Sequence, residues 1–147
     1  MLTELSSELM HSVVGLLLQP VIWGLLAFIL LAVWEMGIAI GERWHGLKTM
    51  RNKGDSQRIL QTGRKRIERA DLLTRVAPML GLMGTLIPLG PGLAGLGQGE
   101  LSLLTGAIQV AFDTTVIGLL VGVIGFVLGR LRRRWYDQLL NQLEQTA

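Results

Sequence analysis

Three long runs of apolar residues dominate the chain. The first extends from Val13 to Ile40 and is broken only by Gln19 and Glu35; the second covers Val76 to about Leu96; the third runs from about Leu103 to Leu128. Each reaches the roughly 20 residues a helix needs to cross a hydrocarbon core about 30 Å thick. Lipid offers no partner to backbone amides, so segments of this kind are helices that satisfy their own peptide groups. A soluble fold would need amphipathic helices to cover three such runs, and the remaining sequence has too few. The pattern predicts an all-α membrane protein with three transmembrane helices in one domain, residues 1–147. Its parts are an external lead (1–12), span one (13–40), a basic segment (41–75), span two (76–96), span three (103–129) and a basic tail (130–147).

Two shorter patterns flank the spans. "RILQTGRKRIERADLLTRV", residues 58–76, has Ile59, Leu60, Ile67, Leu72, Leu73 and Val76 at roughly helical spacing. It predicts a short cytoplasmic helical extension that runs into span two. Gly54 and Gly63 weaken its start, and Pro78 is expected to bend or restart the helix near the membrane surface. After span three, "RRRWYDQLLNQLEQ" places Trp135, Leu139 and Leu143 on one face. This amphipathic tail suits either the extension helix or the headgroup layer. Trp23, Trp34, Trp44 and Trp135 fall mostly near the predicted boundaries, as interfacial anchors do.

Charge gives the pattern a direction. The net charge of +3 conceals a sharp segregation of the 14 Lys and Arg. Arg43, Lys48, Arg51, Lys53, Arg58, Arg64, Lys65, Arg66, Arg69 and Arg75 lie between spans one and two, and Arg130, Arg132, Arg133 and Arg134 follow span three. The first twelve residues and the turn from Gly97 to Ser102 have none. Basic residues collect on the cytoplasmic side, so the N-terminus and the turn holding Glu100 are expected outside, with the C-terminus cytoplasmic. The acidic start, with Glu4 and Glu8, lacks the basic opening of a cleavable signal, so span one is expected to remain as a permanent span. The basic segments read as orientation signals that touch anionic lipid. No nucleic-acid-binding module accompanies them, and no nucleic acid partner is expected.

Small and polar residues mark the spans more finely. Ala111, Thr115, Gly118, Gly122, Gly125 and Gly129 recur at steps of four and three, one stripe of span three. Gly118 with Gly122, and Gly125 with Gly129, match the small-xxx-small pattern of close helix contact in lipid. Span two carries Gly81, Gly84, Thr85, Pro88, Gly92 and Gly95. Packing of spans two and three within one chain accounts for part of this pattern. Small residues on several faces also suit packing against other subunits, and the expectation is an oligomer.

The polar candidates are Thr85, Asp113, Thr114 and Thr115. An ionised Asp near mid-span costs about 2.5–3.5 kcal/mol on insertion scales, so such residues face a partner or a wet cavity. The threonines have a plainer use in bonding back to their own helix's carbonyls. From the helical rise, Thr85 lies about 13 Å and Thr115 about 20 Å from the inner ends of their spans, a similar depth within boundary error. Glu35 is expected to reach the headgroups. His11 and His45 are isolated on opposite sides, and the chain has no Cys, so no metal site is expected. No acid, base or nucleophile set suggests an enzyme, and no cofactor is expected. "GLMGTLIPLGPGLAGLGQG" is glycine-rich but lies in an apolar span, which excludes a nucleotide cradle.

Two motifs then resemble a known family. "APMLGLMGTL", Ala77–Leu86, and "AFDTTVIGLLVG", Ala111–Gly122, resemble the last two conserved helices of the MotA/TolQ/ExbB proton-channel family, in the same order and with a short external turn between them. The likeness covers roughly Arg69 to Tyr136; span one agrees only in topology. The three-span, N-outside arrangement is similar to the TolQ/ExbB branch, and the threonine doublet to the MotA branch. The resemblance implies a homopentameric ring in a prokaryotic cytoplasmic (inner) membrane, around single-span partner helices of the MotB/TolR/ExbD type. It implies that the partner's membrane aspartate carries the ion and that Thr85 and Thr115 line the path. Proton or sodium flow would turn ring against partner, as in a stator, and deliver mechanical work.

Two departures stand out. The TolQ/ExbB branch has a glutamate five residues before the position of Thr115, where this chain has Val110. Asp113 occupies a position expected to be small or hydroxylic. The cytoplasmic part is also short for the family, which argues against docking to a flagellar rotor. Two other function classes remain open on the residues alone: a non-conducting scaffold subunit, in which Asp113 only bonds another helix, and an autonomous cation channel with a ring of Asp113 side chains.

Overall fold

A computed structural model describes residues 1–46 and 56–146. The expected basic segment therefore lies partly outside the described residues, including Gly54, Lys48, Arg51 and Lys53. Three helices account for nearly all of the rest: α1 (Leu2–Gly41), α2 (Ser56–Gly97) and α3 (Leu101–Thr146), with a five-residue π-helical turn, Glu42–Gly46, after α1. All three are long and apolar enough to cross a membrane.

The helices reach well past the apolar runs. The lead is helical from Leu2, the extension before span two is one helix with it, and the tail continues α3 without a break. The flanks have no reason to stop: residues 130–146 are rich in Arg, Gln, Leu and Glu, which favour helix. The expected restart at Pro78 does not occur. α2 runs through Pro78, Pro88 and Pro91, and α1 through Pro20. In membrane helices the carbonyls that proline leaves free can be satisfied by neighbouring helices, hydroxyls and local adjustment.

The chain divides into two compact units. The first comprises Met1–Phe28 and Ala77–Leu120. Here α2 and α3 form a hairpin. Gly99 takes a left-handed conformation (φ 83°), open to a residue without Cβ. The amide of Glu100 donates to Gly95 O (2.9 Å) and that of Gly99 to Leu96 O (3.0 Å). These two bonds make a Schellman stop that caps α2 and lets α3 begin at Leu101. Val21 and Leu25 of α1 are buried in this unit, and Gly24 faces Leu80.

The second unit comprises Ile29–Val76 and Val121–Ala147. Its buried residues along α1 and the π-helical turn that follows are Ala32, Glu35, Ala39 and Glu42, at steps of three, four and three. That spacing keeps one face of a helix against its neighbours. Ala39, Ala70 and Leu128 make a small apolar core with Ile124 and Trp135 beside it. In the tail, Tyr136 and Leu139 are buried with Leu143 against them, so the tail packs on α2 through Tyr136, whose ring covers Gly63. Large apolar side chains elsewhere are open, among them Leu30, Trp34 and Phe112. Those faces suit lipid or other helices rather than water.

Candidate functional site

The first unit brings Thr85 and Thr115 together. The approach depends on absent side chains. A Cβ added to Gly118 would stand 2.7 Å from Ala77 O and 2.8 Å from the Cα of Gly81, and one on Gly84 would meet the Thr114 side chain at 2.7 Å. Glycine at these positions lets the backbones of α2 and α3 approach closely, as small residues do between membrane helices.

At this crossing the Thr85 and Thr115 hydroxyls are hydrogen-bonded to each other. Each also reaches main-chain oxygens: Thr115 Oγ1 lies 2.9 Å from Ala111 O, and Thr85 Oγ1 lies 3.0 Å from Gly81 O and 3.3 Å from Ala111 O. Four oxygens, two hydroxyl and two carbonyl, thus gather inside an otherwise apolar stretch. Each hydroxyl has one proton and two lone pairs, so the cluster has lone pairs to spare and can accept from a donor or approach a cation. Both threonines are only half-buried.

Thr114 differs. It is buried against Gly84 and donates only to its own helix, to Val110 O (2.9 Å) and Ala111 O (3.1 Å). Asp113 is separated from Thr115 by two residues, about 200° around the helix. It is exposed and has no hydrogen bond or ion pair among the described residues. One chain therefore does not bring Asp113 to the threonine pair.

Of the remaining small residues, Gly81 lies 2.9 Å, by its added Cβ, from Thr114 O, and Gly122 is buried. Gly125 and Gly129 belong to the second unit. Gly125 packs on Leu73 and Ala70, and Gly129 lies near Ala70 and Asp71. The α2–α3 packing within one chain thus uses most of the glycine stripe.

Sequence reasoning missed a group of charges in the second unit. Glu35 does not reach the headgroups. It is fully buried, with Oε2 2.5 Å from Nη1 of Arg132, itself fully buried, and Oε1 3.5 Å from Nη1 of Arg69. Arg132 also lies 3.6 Å from Glu42 and donates to the carbonyls of Glu35 and Arg66, both at 3.2 Å. Glu42 is paired with Arg66 and accepts from the Tyr136 hydroxyl at 3.2 Å. Burial raises the pKa of that phenol, against a lowering pull from Arg66 and Arg132. It stays neutral and can donate. The signal was present: Glu35 and Glu42 are seven residues apart, two helical turns, across the end of α1 and the π-helical turn, which a boundary reading treats as mere span ends.

A family model described as the MotA/TolQ/ExbB proton channel family matches residues 48–145, about two-thirds of the chain. No curated protein and no solved structure matches it.

Proposed function

The chain belongs to the MotA/TolQ/ExbB proton channel family, and on that premise we propose that it is the ring-forming subunit of an ion-driven energising complex. In this reading several copies, five by resemblance, surround the single-span helices of a MotB/TolR/ExbD-like partner in a prokaryotic inner membrane. The N-terminus is outside and the basic segments are cytoplasmic. Protons or sodium ions pass between ring and partner, and the ring turns as they do. Thr85 and Thr115 supply oxygens along the path, and Asp113 adds a carboxyl of the ring's own.

The observation that carries this reading is the paired hydroxyls of Thr85 and Thr115, only half-buried within close-packed apolar helices. A purely structural pair would be expected to be sealed. Mechanistically, the cluster can stabilise a cation, or a donor, next to a carboxylate brought by another chain. It replaces lost hydration with fixed oxygens.

Ion flux into proteoliposomes, with and without the one-span partner, tests the proposal. Partner-dependent flux is expected. Normal assembly without flux in either case would favour a scaffold. The exposed, unpaired Asp113 supports one second reading, an autonomous cation channel, which predicts equal flux without the partner.

A further inference from the structure

Between Leu101 and Leu128, α3 has six Ser, Thr, Gln or Asp side chains. Thr114 and Thr115 turn toward α2, as described above. The other four, Ser102, Thr105, Gln109 and Asp113, are all exposed. Ser102, Gly106, Gln109 and Asp113 follow at steps of four, three and four, so they form one lengthwise stripe, and Thr105 flanks it. The Thr105 hydroxyl donates to Leu101 O and keeps its outward lone pairs. Gln109 and Asp113 have no hydrogen-bond partner among the described residues.

The stripe changes character at Asp113. The next two positions on the same face, Val116 and Leu120, are exposed and apolar. The polar part starts beside Glu100, at the α2–α3 turn, and extends about 16 Å along α3 at 1.5 Å per residue. It ends on the carboxyl. The first unit contains no Lys or Arg, so no such side chain of it stands along this route to repel a cation. Acyl chains can satisfy none of these groups, so this face requires water or another protein helix.

We propose that this face of α3 is one wall of a hydrated access lane, closed by another helix of the assembly, that brings a monovalent cation from the Glu100 side to Asp113. Val116 and Leu120 close the lane beyond the carboxyl. Access to Asp113 is therefore one-sided. The threonine pair, on a different face of α3, belongs to a separate part of the ion's route. This inference deepens the function proposed above and rests on it for the source of the ion, but its test does not depend on ion flux.

The chain has no Cys, so single cysteines can be read directly in the assembled complex in sealed vesicles. The lane positions are Ser102→Cys, Gly106→Cys and Gln109→Cys. Val116→Cys and Leu120→Cys report the seal, and Phe112→Cys and Leu119→Cys the neighbouring exposed apolar face. A membrane-impermeant cationic methanethiosulfonate added from the Glu100 side is expected to label the lane at least tenfold faster than the other four. At Gln109→Cys the cationic reagent should outpace an anionic one, and Asp113→Asn should cut that preference several-fold. If Gln109→Cys does not assemble, Gly106→Cys reads the lane about 4.5 Å nearer the Glu100 side. Equal rates at lane and control positions, or labelling only from the basic side, would overturn the lane. The stated pattern in a complex that conducts no ions would leave the lane intact and remove the proposed function instead.

Discussion

The two units solve the problem of polar groups among apolar helices in opposite ways. The second unit holds all 14 Lys and Arg of the chain, and its buried charges meet opposite charges. Glu35, Glu42, Arg66 and Arg132 neutralise one another at the cost of desolvation. The first unit has only acids, Glu4, Glu8, Glu100 and Asp113, and uses neutral hydroxyls at its centre. Apart from Thr114, which is buried against Gly84, the polar groups of its α3 helix are half-buried or exposed. The difference teaches that charge paired with charge here marks architecture, whereas neutral oxygens and an unpaired carboxyl mark the candidate ion route.

The comparison is broken most strongly at Arg132. Arg132→Leu leaves Glu35 fully buried without its nearest cation and weakens the hold on Glu42. Breaking one side of a buried pair costs about 3–5 kcal/mol. Unfolding of the detergent-solubilised protein should show a loss of that size, and Glu35→Leu in the same chain should recover part of it. A change below about 1 kcal/mol, the scale of an exposed pair, would mean that the network contributes no more than a surface one.

Gly118→Val tests the crossing of α2 and α3. The added groups meet the Ala77 carbonyl and the Gly81 backbone, neither of which can swing away. A loss of about 1–3 kcal/mol is expected from overpacking, together with loss of flux, because the threonines would be pushed apart. Unchanged stability and flux would show that the helices have room to separate.

How far the sequence could be read differs between the units for a physical reason. Helices and their apolar runs follow from composition and length, so three spans were legible. The small-residue stripe through Gly118 and Gly125 was also visible, because period alone defines a helix face. Pro78 does not restart the helix, because proline's effect depends on what else can satisfy the backbone, which a sequence does not display. Glu35 was misread because a carboxylate near a span end has two outcomes, headgroup or buried partner. The partner, Arg132, is 97 residues away. Asp113 and Thr115 are two residues apart and read as one cluster, yet helical geometry sends them to different faces. The threonine pair was approached through depth arithmetic, but the hydroxyl contact itself needed the crossing.

Smaller effects sharpen the contrast. Thr114→Val removes a hydroxyl that bonds only within its own helix. It should cost about 0.5–1.5 kcal/mol, the net scale of one hydrogen bond, and leave flux near the parent value. A large loss of flux would bring Thr114 into the route. Arg133→Gln disrupts the pair with Asp71 (2.7 Å), where both side chains are substantially exposed. Exposed pairs are worth about 0–1 kcal/mol, so the unfolding midpoint should hardly move. A shift as large as that of Arg132→Leu would erase the distinction between the buried network and the surface pair.

The central claim is that the Thr85–Thr115 oxygens serve ions rather than packing. It is tested most directly by partner-dependent flux of Thr115→Ser and Thr115→Val, measured on complexes of parental size. Serine keeps the hydroxyl, and valine keeps the shape without it. The account predicts near-parental flux with serine and at least a tenfold loss with valine. Equal flux in the two variants, with assembly unchanged, would contradict it.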